Sequence, residues 1–226
     1  MCGRFTLIAE PAALQAAFPQ VIFPAQSAPR YNIAPSQPVL ALPNDGKLQA
    51  GFFVWGLIPG WAKEAAIGQK LINARAETLG EKPSFRGAYK YRRCLIFADG
   101  FYEWKTEPDF KRKIPHFIRL KNGQPFAFAG LWEEWHSPDG GVTPTCTIIT
   151  TAPNTLMASI HNRMPVILPP AAQPAWLNST PQRPEALQSL LTSFPADEML
   201  AFPVSSLVNN PANDQSSLIQ PVKSRL

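Results

Sequence analysis

This chain has little cysteine, little histidine and little charge. Its three cysteines, Cys2, Cys94 and Cys146, are scattered through 226 residues, with no CxxC spacing and no histidine beside them in a metal-type pattern. An odd, dispersed set argues against a disulfide framework and against structural zinc. No stretch approaches the roughly 18 apolar residues that a membrane span needs. The opening MCGRFTLIAEPAAL meets a Glu and a Pro too early for a secretory leader, so the expected location is the cytoplasm. Charged residues are 16% of the chain against 45% hydrophobic, which supplies a core and speaks against disorder. Familiar catalytic signatures are missing as well: no P-loop, no GxSxG elbow, no HExxH helix and no GxGxxG behind a strand.

What is abundant is proline, at 25 residues, which implies many short elements joined by stiff turns and argues against a helical bundle. Lys and Arg outnumber the acids 21 to 16, an excess that suits a polyanionic partner without demanding one. Apolar runs alternate with turn signals. VLAL and GFFVWGL flank PNDGK, and a D-G pair between such runs predicts a hairpin. HFIRLKNGQPFAFAGLWEEW predicts a second one about its N-G pair. CLIFADGFYEWK reads as a buried strand leading to a polar tip, TCTIITTAPN as a β-branched strand, and FPVSSLVNN as a last strand before a tail. Short helices are expected within residues 9–20, at NTLMAS, at PPAAQPAWLNS and at PEALQSLLTS, with helical stretches also in the polar run INARAETLGEKPSFRGAYKYRR. With no linker-like shift in composition, the expectation is one α+β domain over residues 1–226. Its core is a mostly antiparallel, barrel-like sheet with short peripheral helices.

The residues that could carry chemistry stand at the ends of apolar runs. Cys2 follows the initiator Met, and small second residues usually allow that Met to be removed. LINARAET presents Asn73, Arg75 and Glu77; FADGFYEWK presents Glu103; SIHNRMPVIL presents His161 and Arg163. Taken singly each has a plainer reading. Glu103 suits a solvated turn, His161 a hydrogen-bonded loop, and the two arginines surface ion pairs. His116 and His136 read as structural or surface residues, and Cys94 and Cys146 as small core hydrophobes. A Cys with a distant His and Asn also fits a thiol hydrolase.

Taken together these blocks resemble a known family. MCGRF, YNIAPSQ, FFVWGLIPGW, INARAET, CLIFADGFYEWK, TIITTAPN, IHNRMPVIL and FPVSSLVN occur in the order found in the SOS-response-associated peptidase (SRAP) family. The resemblance runs from Cys2 to about Val222. It implies an α+β fold on a barrel-like core. It also implies capture of abasic sites in single-stranded DNA by a mature N-terminal Cys, through a thiazolidine. The chemistry is coherent. An α-amine, with a reference pKa of about 7.7–8.0 against about 10.4 for Lys, is free more often at neutral pH and condenses with the opened sugar aldehyde. The thiol then closes a five-membered ring on the imine carbon.

The resemblance implies roles for individual residues. Cys2 is the nucleophile through nitrogen and sulfur. Asn73 positions the sugar and the Cys, and Glu103 serves the amine proton. His161, as a neutral imidazole, takes the sugar hydroxyl proton. Thr150 lines the pocket, with Thr151 as the alternative. Arg4, Arg75 and Arg163 contact DNA phosphates, and Trp61 stacks on a base. Some relatives carry two adjacent Trp where this chain has Trp61 and Ala62. YKYRR, Tyr89 to Arg93, is a further candidate for backbone contact or a solvated basic turn. No cofactor and no metal are implied. The expected state is a monomer, nucleoid-associated when bound to DNA. A thiol (auto)peptidase using Cys2 and a non-covalent reader of modified or single-stranded DNA stay open as alternatives.

Overall fold

The computed structural model describes residues 2–25, 28–107 and 112–222. Two sheets share one apolar core. The first is a closed ring of five strands: β3 (Pro38–Pro43), β4 (Gly51–Trp55), β6 (Arg93–Ala98), β9 (Phe126–His136) and β10 (Val142–Thr151). They follow the circuit β10-β4-β3-β6-β9 and back to β10, and only the β4–β10 contact in that circuit is parallel. Closure leaves no open edge within the ring, which suits strands as apolar as VLAL and RCLIFA. The short strands β5 (Asn73–Arg75) and β11 (Met164–Pro165) attach to the far end of β10. The second sheet runs β12-β8-β7-β1-β2, from Met199–Pro203, Arg112–Leu120, Gly100–Glu107, Phe5–Leu7 and Arg30–Ile33.

The hairpin expected around PNDGK is present as β3–β4. The one expected around Asn122-Gly123 is not. Gly123 does make the turn, at φ +69. But β8 is already flanked by β7 and β12, and β9 by β6 and β10, so the turn carries the chain from one sheet to the other. CLIFADGFYEWK likewise divides into two strands on different sheets. Asp99, the single residue between β6 and β7, accepts from the Thr6 hydroxyl and from the backbone N–H groups of Ile8 and Ala9. This clamp locks β1 against β7. Burial pushes the Asp99 carboxyl up, and those donors pull it back. Gly100 permits the crossing, since a Cβ there would lie 2.2 Å from the Phe117 ring.

Other differences are local. The last strand is Met199–Pro203, and SSLVN instead forms a 3-10 turn, Ser206–Asn209, whose Val208 is buried. The tail expected from SSLIQ onward includes a second such turn, Ser216–Ile219, pinned by fully buried Leu218. Lys223 to Leu226 of that tail lie outside the described residues. The four short helices expected occur as Pro11–Ala17 (α1), Thr155–Ala158 (α3), Gln173–Trp176 (α4) and Pro184–Gln188 (α5), and the helical stretch expected in INARAETLGEKPSFRGAYKYRR includes α2, Arg86–Tyr91. No helix among the described residues is long and apolar enough to cross a membrane.

Candidate active site

The site lies where the end of β10, with β5 and β11, meets the start of β1 beside β7. The register explains why Cys2 reaches Glu103. Phe5 pairs with Phe101 and Thr6 with Gly100, and the Tyr102 N–H donates to the Arg4 carbonyl at 2.9 Å. Antiparallel pairing continued one step carries the chain preceding Arg4 alongside Glu103. Alternation along β7 sends Phe101 into the main core and Tyr102 toward the opposite face, with Phe117 and Val208. Glu103 therefore shares the inner face with Phe101. It is 2% exposed, so the solvated-turn reading does not hold.

Cys2 is fully buried, and its carbonyl accepts from Asn73 Nδ2 at 2.8 Å. Asn73 begins β5, where pairing with Ile148 of β10 fixes its direction. The other end of its amide, Oδ1, is buried and has no hydrogen-bond partner among the described residues. Burial pushes the Cys2 thiol well up, and the Glu103 carboxylate adds to the rise. The resting sulfur is therefore a thiol and not a thiolate. Burial also raises the Glu103 carboxyl, and a positive charge on the nearby His161 ring would pull it the other way.

His161 follows α3, which Asn154 caps by accepting from the Met157 N–H at 2.9 Å. The His161 N–H returns to the Met157 carbonyl at 2.8 Å, which sets the ring's starting point. Its Nδ1 lies 3.1 Å from the Arg163 N–H and 3.2 Å from the Arg163 carbonyl. The backbone hydrogen is always present, and a second hydrogen on Nδ1 would oppose it. Nδ1 is therefore the acceptor, and the neutral ring carries its proton on Nε2. In that form the neutral ring presents an N–H at Nε2, whereas the expected role of His161 is to take the sugar hydroxyl proton.

The remaining candidates divide. Arg75 and Trp61 are exposed; Trp61, at 61%, lines a recess of about 370 Å³ together with Lys63, Glu64 and Lys70. That recess contains none of Cys2, Asn73, Glu103 and His161. Arg4 is turned inward, donating to Asn32 Oδ1 and to the Val208 carbonyl, both at 2.7 Å. Arg163 is held in a two-pronged pair with Glu77 at 2.7 and 2.9 Å and also donates to the Thr150 carbonyl at 2.6 Å. The Thr150 hydroxyl is fully buried, 3.4 Å from the Ala74 carbonyl; Thr151 is 8% exposed. YKYRR is no solvated turn. It is the end of α2 running into β6, with Tyr89 and Arg93 buried and Arg92 paired to Glu133 at 2.6 Å. Two further residues, His116 and Glu77, are brought to these groups by the fold. His116 stands opposite Glu103 in the β7–β8 register, a pairing visible only once the strands are aligned. Glu77 sits inside INARAET, and its partner Arg163 is 86 residues away.

The chain is similar to proteins of one kind throughout. A family model described as "SOS response associated peptidase (SRAP)" matches residues 1–211. The "Abasic site processing protein YoqW" of Bacillus subtilis (strain 168) is 52% identical over 223 residues, covering 97% of this chain and 99% of that one. YedK of Escherichia coli (strain K12), with the same description, is 35% identical over 199 residues, 85% of each chain. A crystal structure of a protein from Bacteroides thetaiotaomicron superposes with a TM-score of 0.87 at 27% identity, covering 98% of this chain and 100% of that one.

Proposed function

Because this chain belongs to the SOS response-associated peptidase family, we propose that it processes abasic sites in single-stranded DNA by bonding to them through Cys2. The observation that carries the reading is the convergence of Asn73 on the Cys2 carbonyl, with Glu103 buried beside the same residue. Removal of Met1 would give Cys2 a free amine next to its thiol. The protein would act as one domain and as a monomer in the cytoplasm, with no metal and no cofactor taking part.

An abasic deoxyribose is a cyclic hemiacetal. His161 donates its Nε2 proton to the ring oxygen as the C1′–O4′ bond breaks, and Glu103 as carboxylate takes the C1′ hydroxyl proton. The product is an aldehyde. The Cys2 amine adds to it, one amine proton passing to the oxygen; water then leaves with the proton returned by Glu103 while the second amine proton restores His161, giving a neutral imine. The Cys2 thiol then adds to the imine carbon, its proton passing to nitrogen, to close the thiazolidine. The amine must act first, because only its condensation creates the imine carbon on which the thiol can close the ring. Arg75 and Trp61 supply phosphate and base contacts outside the reacting centre.

Intact mass spectrometry with a single-stranded abasic oligonucleotide tests the proposal. The expected species is the chain without Met1 plus the oligonucleotide minus one water. Cys2→Ala, and N-terminal acetylation of Cys2, should each abolish it while leaving binding. An adduct persisting in Cys2→Ala would overturn the assignment.

A further inference from the structure

We propose that Glu77 is a positioning residue for this reaction, acting through Arg163 to hold His161 with its proton on Nε2. The inference rests on the reading above, in which His161 donates to the sugar. Its grounds are a chain of contacts. Both Glu77 oxygens accept from the Arg163 guanidinium, Oε1 from Nη1 and Oε2 from Nη2. Nη2 is also tied to the Thr150 carbonyl at the end of β10. Arg163 is thus fixed at three points on two elements, β10 and the 3-10 turn Ala76–Thr78 that follows β5. Its own backbone N–H is the donor that meets His161 Nδ1. Holding the guanidinium therefore holds the N–H that selects the tautomer of the ring two residues earlier.

The energetics favour Glu77 as the anchor. The Arg163 side chain is 15% exposed, whereas that of Glu77 is 50% exposed. A largely buried guanidinium needs its counter-charge, and Glu77 makes the only ion pair to Arg163 among the described residues. The Glu77 carboxyl is held below its ordinary range first by the Arg163 hydrogen bonds, so it stays ionised wherever the amine of Cys2 is reactive. Without Glu77, Arg163 keeps one carbonyl and gains more from turning out to water. Its backbone N–H then loses its aim on Nδ1.

Long-range proton–nitrogen NMR of the histidine rings, with the His161 signals assigned by loss in His161→Ala, tests this on the DNA-free protein. Single-turnover cross-linking rates over about pH 5 to 9 accompany it. In the wild type His161 should show the Nε2-protonated form. Glu77→Ala should mix the tautomers, slow cross-linking roughly tenfold and change the pH profile, within the 10²–10⁴ that general acid catalysis contributes. Glu77→Asp, which keeps the carboxylate, should recover part of both, and carries the test if Glu77→Ala does not fold. An unchanged His161 tautomer in Glu77→Ala overturns the proposal, even if the rate falls. Tighter, more salt-sensitive DNA binding with an unchanged tautomer would also overturn it, making Glu77 a mask over Arg163. A wild-type rate in His161→Ala would instead remove His161 from the chemistry, and the tautomer result would still decide the role of Glu77.

Discussion

Arg93 and Glu103 are both charged side chains on β-strands, and both are buried, at 0% and 2% exposure. Their surroundings differ in kind. Arg93 meets no carboxylate among the described residues. Its donors end on four backbone carbonyls, those of Trp176, Tyr89, Lys90 and Asn178, and its guanidinium stacks 5.9 Å from the Trp176 ring. The adjacent Asn44 accepts from the Arg93 N–H at 2.9 Å and from Trp132 Nε1 at 3.1 Å, and donates to the Tyr91 carbonyl at 3.2 Å. None of these partners changes its protonation state. Glu103 lies instead beside groups that do, the Cys2 thiol and the His161 imidazole. A buried charge bound by fixed dipoles ties elements together. One placed among groups that gain and lose protons is suited to moving them.

Three measurements break or sharpen this contrast. The largest effect is expected at Arg93. Arg93→Met keeps most of the volume but strips four carbonyls of their donor. An unsatisfied buried acceptor costs roughly 1–3 kcal/mol, so after relaxation we expect a loss of about 3–5 kcal/mol in urea unfolding. Cross-linking per folded molecule should be unchanged. A loss of cross-linking without loss of stability would put Arg93 in the same class as Glu103.

Glu103→Gln should do the reverse. The folded-state pKa of Glu103 is raised, so its charged form destabilises the fold above that pKa, and the penalty disappears as pH falls below the unfolded-state pKa. The variant should therefore melt higher than wild type at pH 8. Each kcal/mol of penalty removed is worth roughly 2–4 °C in a chain of this size, and the gap should close toward acid. Cross-linking should be slowed strongly. Wild-type cross-linking should fall on the acid side at a pH above the ordinary carboxylate range, since Glu103 must be ionised to take the sugar proton. A lower melting temperature at pH 8 would mean that Glu103 is a structural charge like Arg93.

The smallest effect is expected at Trp61, which belongs to neither group. Trp61→Ala should leave the melting temperature unchanged and weaken single-strand binding by about 1–3 kcal/mol, the worth of one stacked base, measured by fluorescence anisotropy. A drop in melting temperature would show that the exposed ring supports the loop beneath it.

Much of the fold was legible because local signals and tertiary pairing agree. The D-G hairpin forms because its two strands are also neighbours in the ring. The N-G turn misled because a turn signal reports that the chain reverses, not which strand it joins. Glu103, Asn73 and His161 could be picked out by the blocks that carry them, but their convergence depends on β1, β5 and β11 meeting at the ends of β7 and β10. Arg93 looked like surface charge, since four carbonyls from other parts of the chain cannot be read from YKYRR.

The sequence by itself determined the strand-rich α+β class, a cysteine in second position and the family. Each is set by residue identity and by spacing along the chain. Only the tertiary structure decided which charges are buried, that the Arg163 N–H faces His161 Nδ1, and that Glu77 reaches Arg163. Those properties depend on desolvation and on hydrogen bonds between distant segments, and neither exists until the chain has folded.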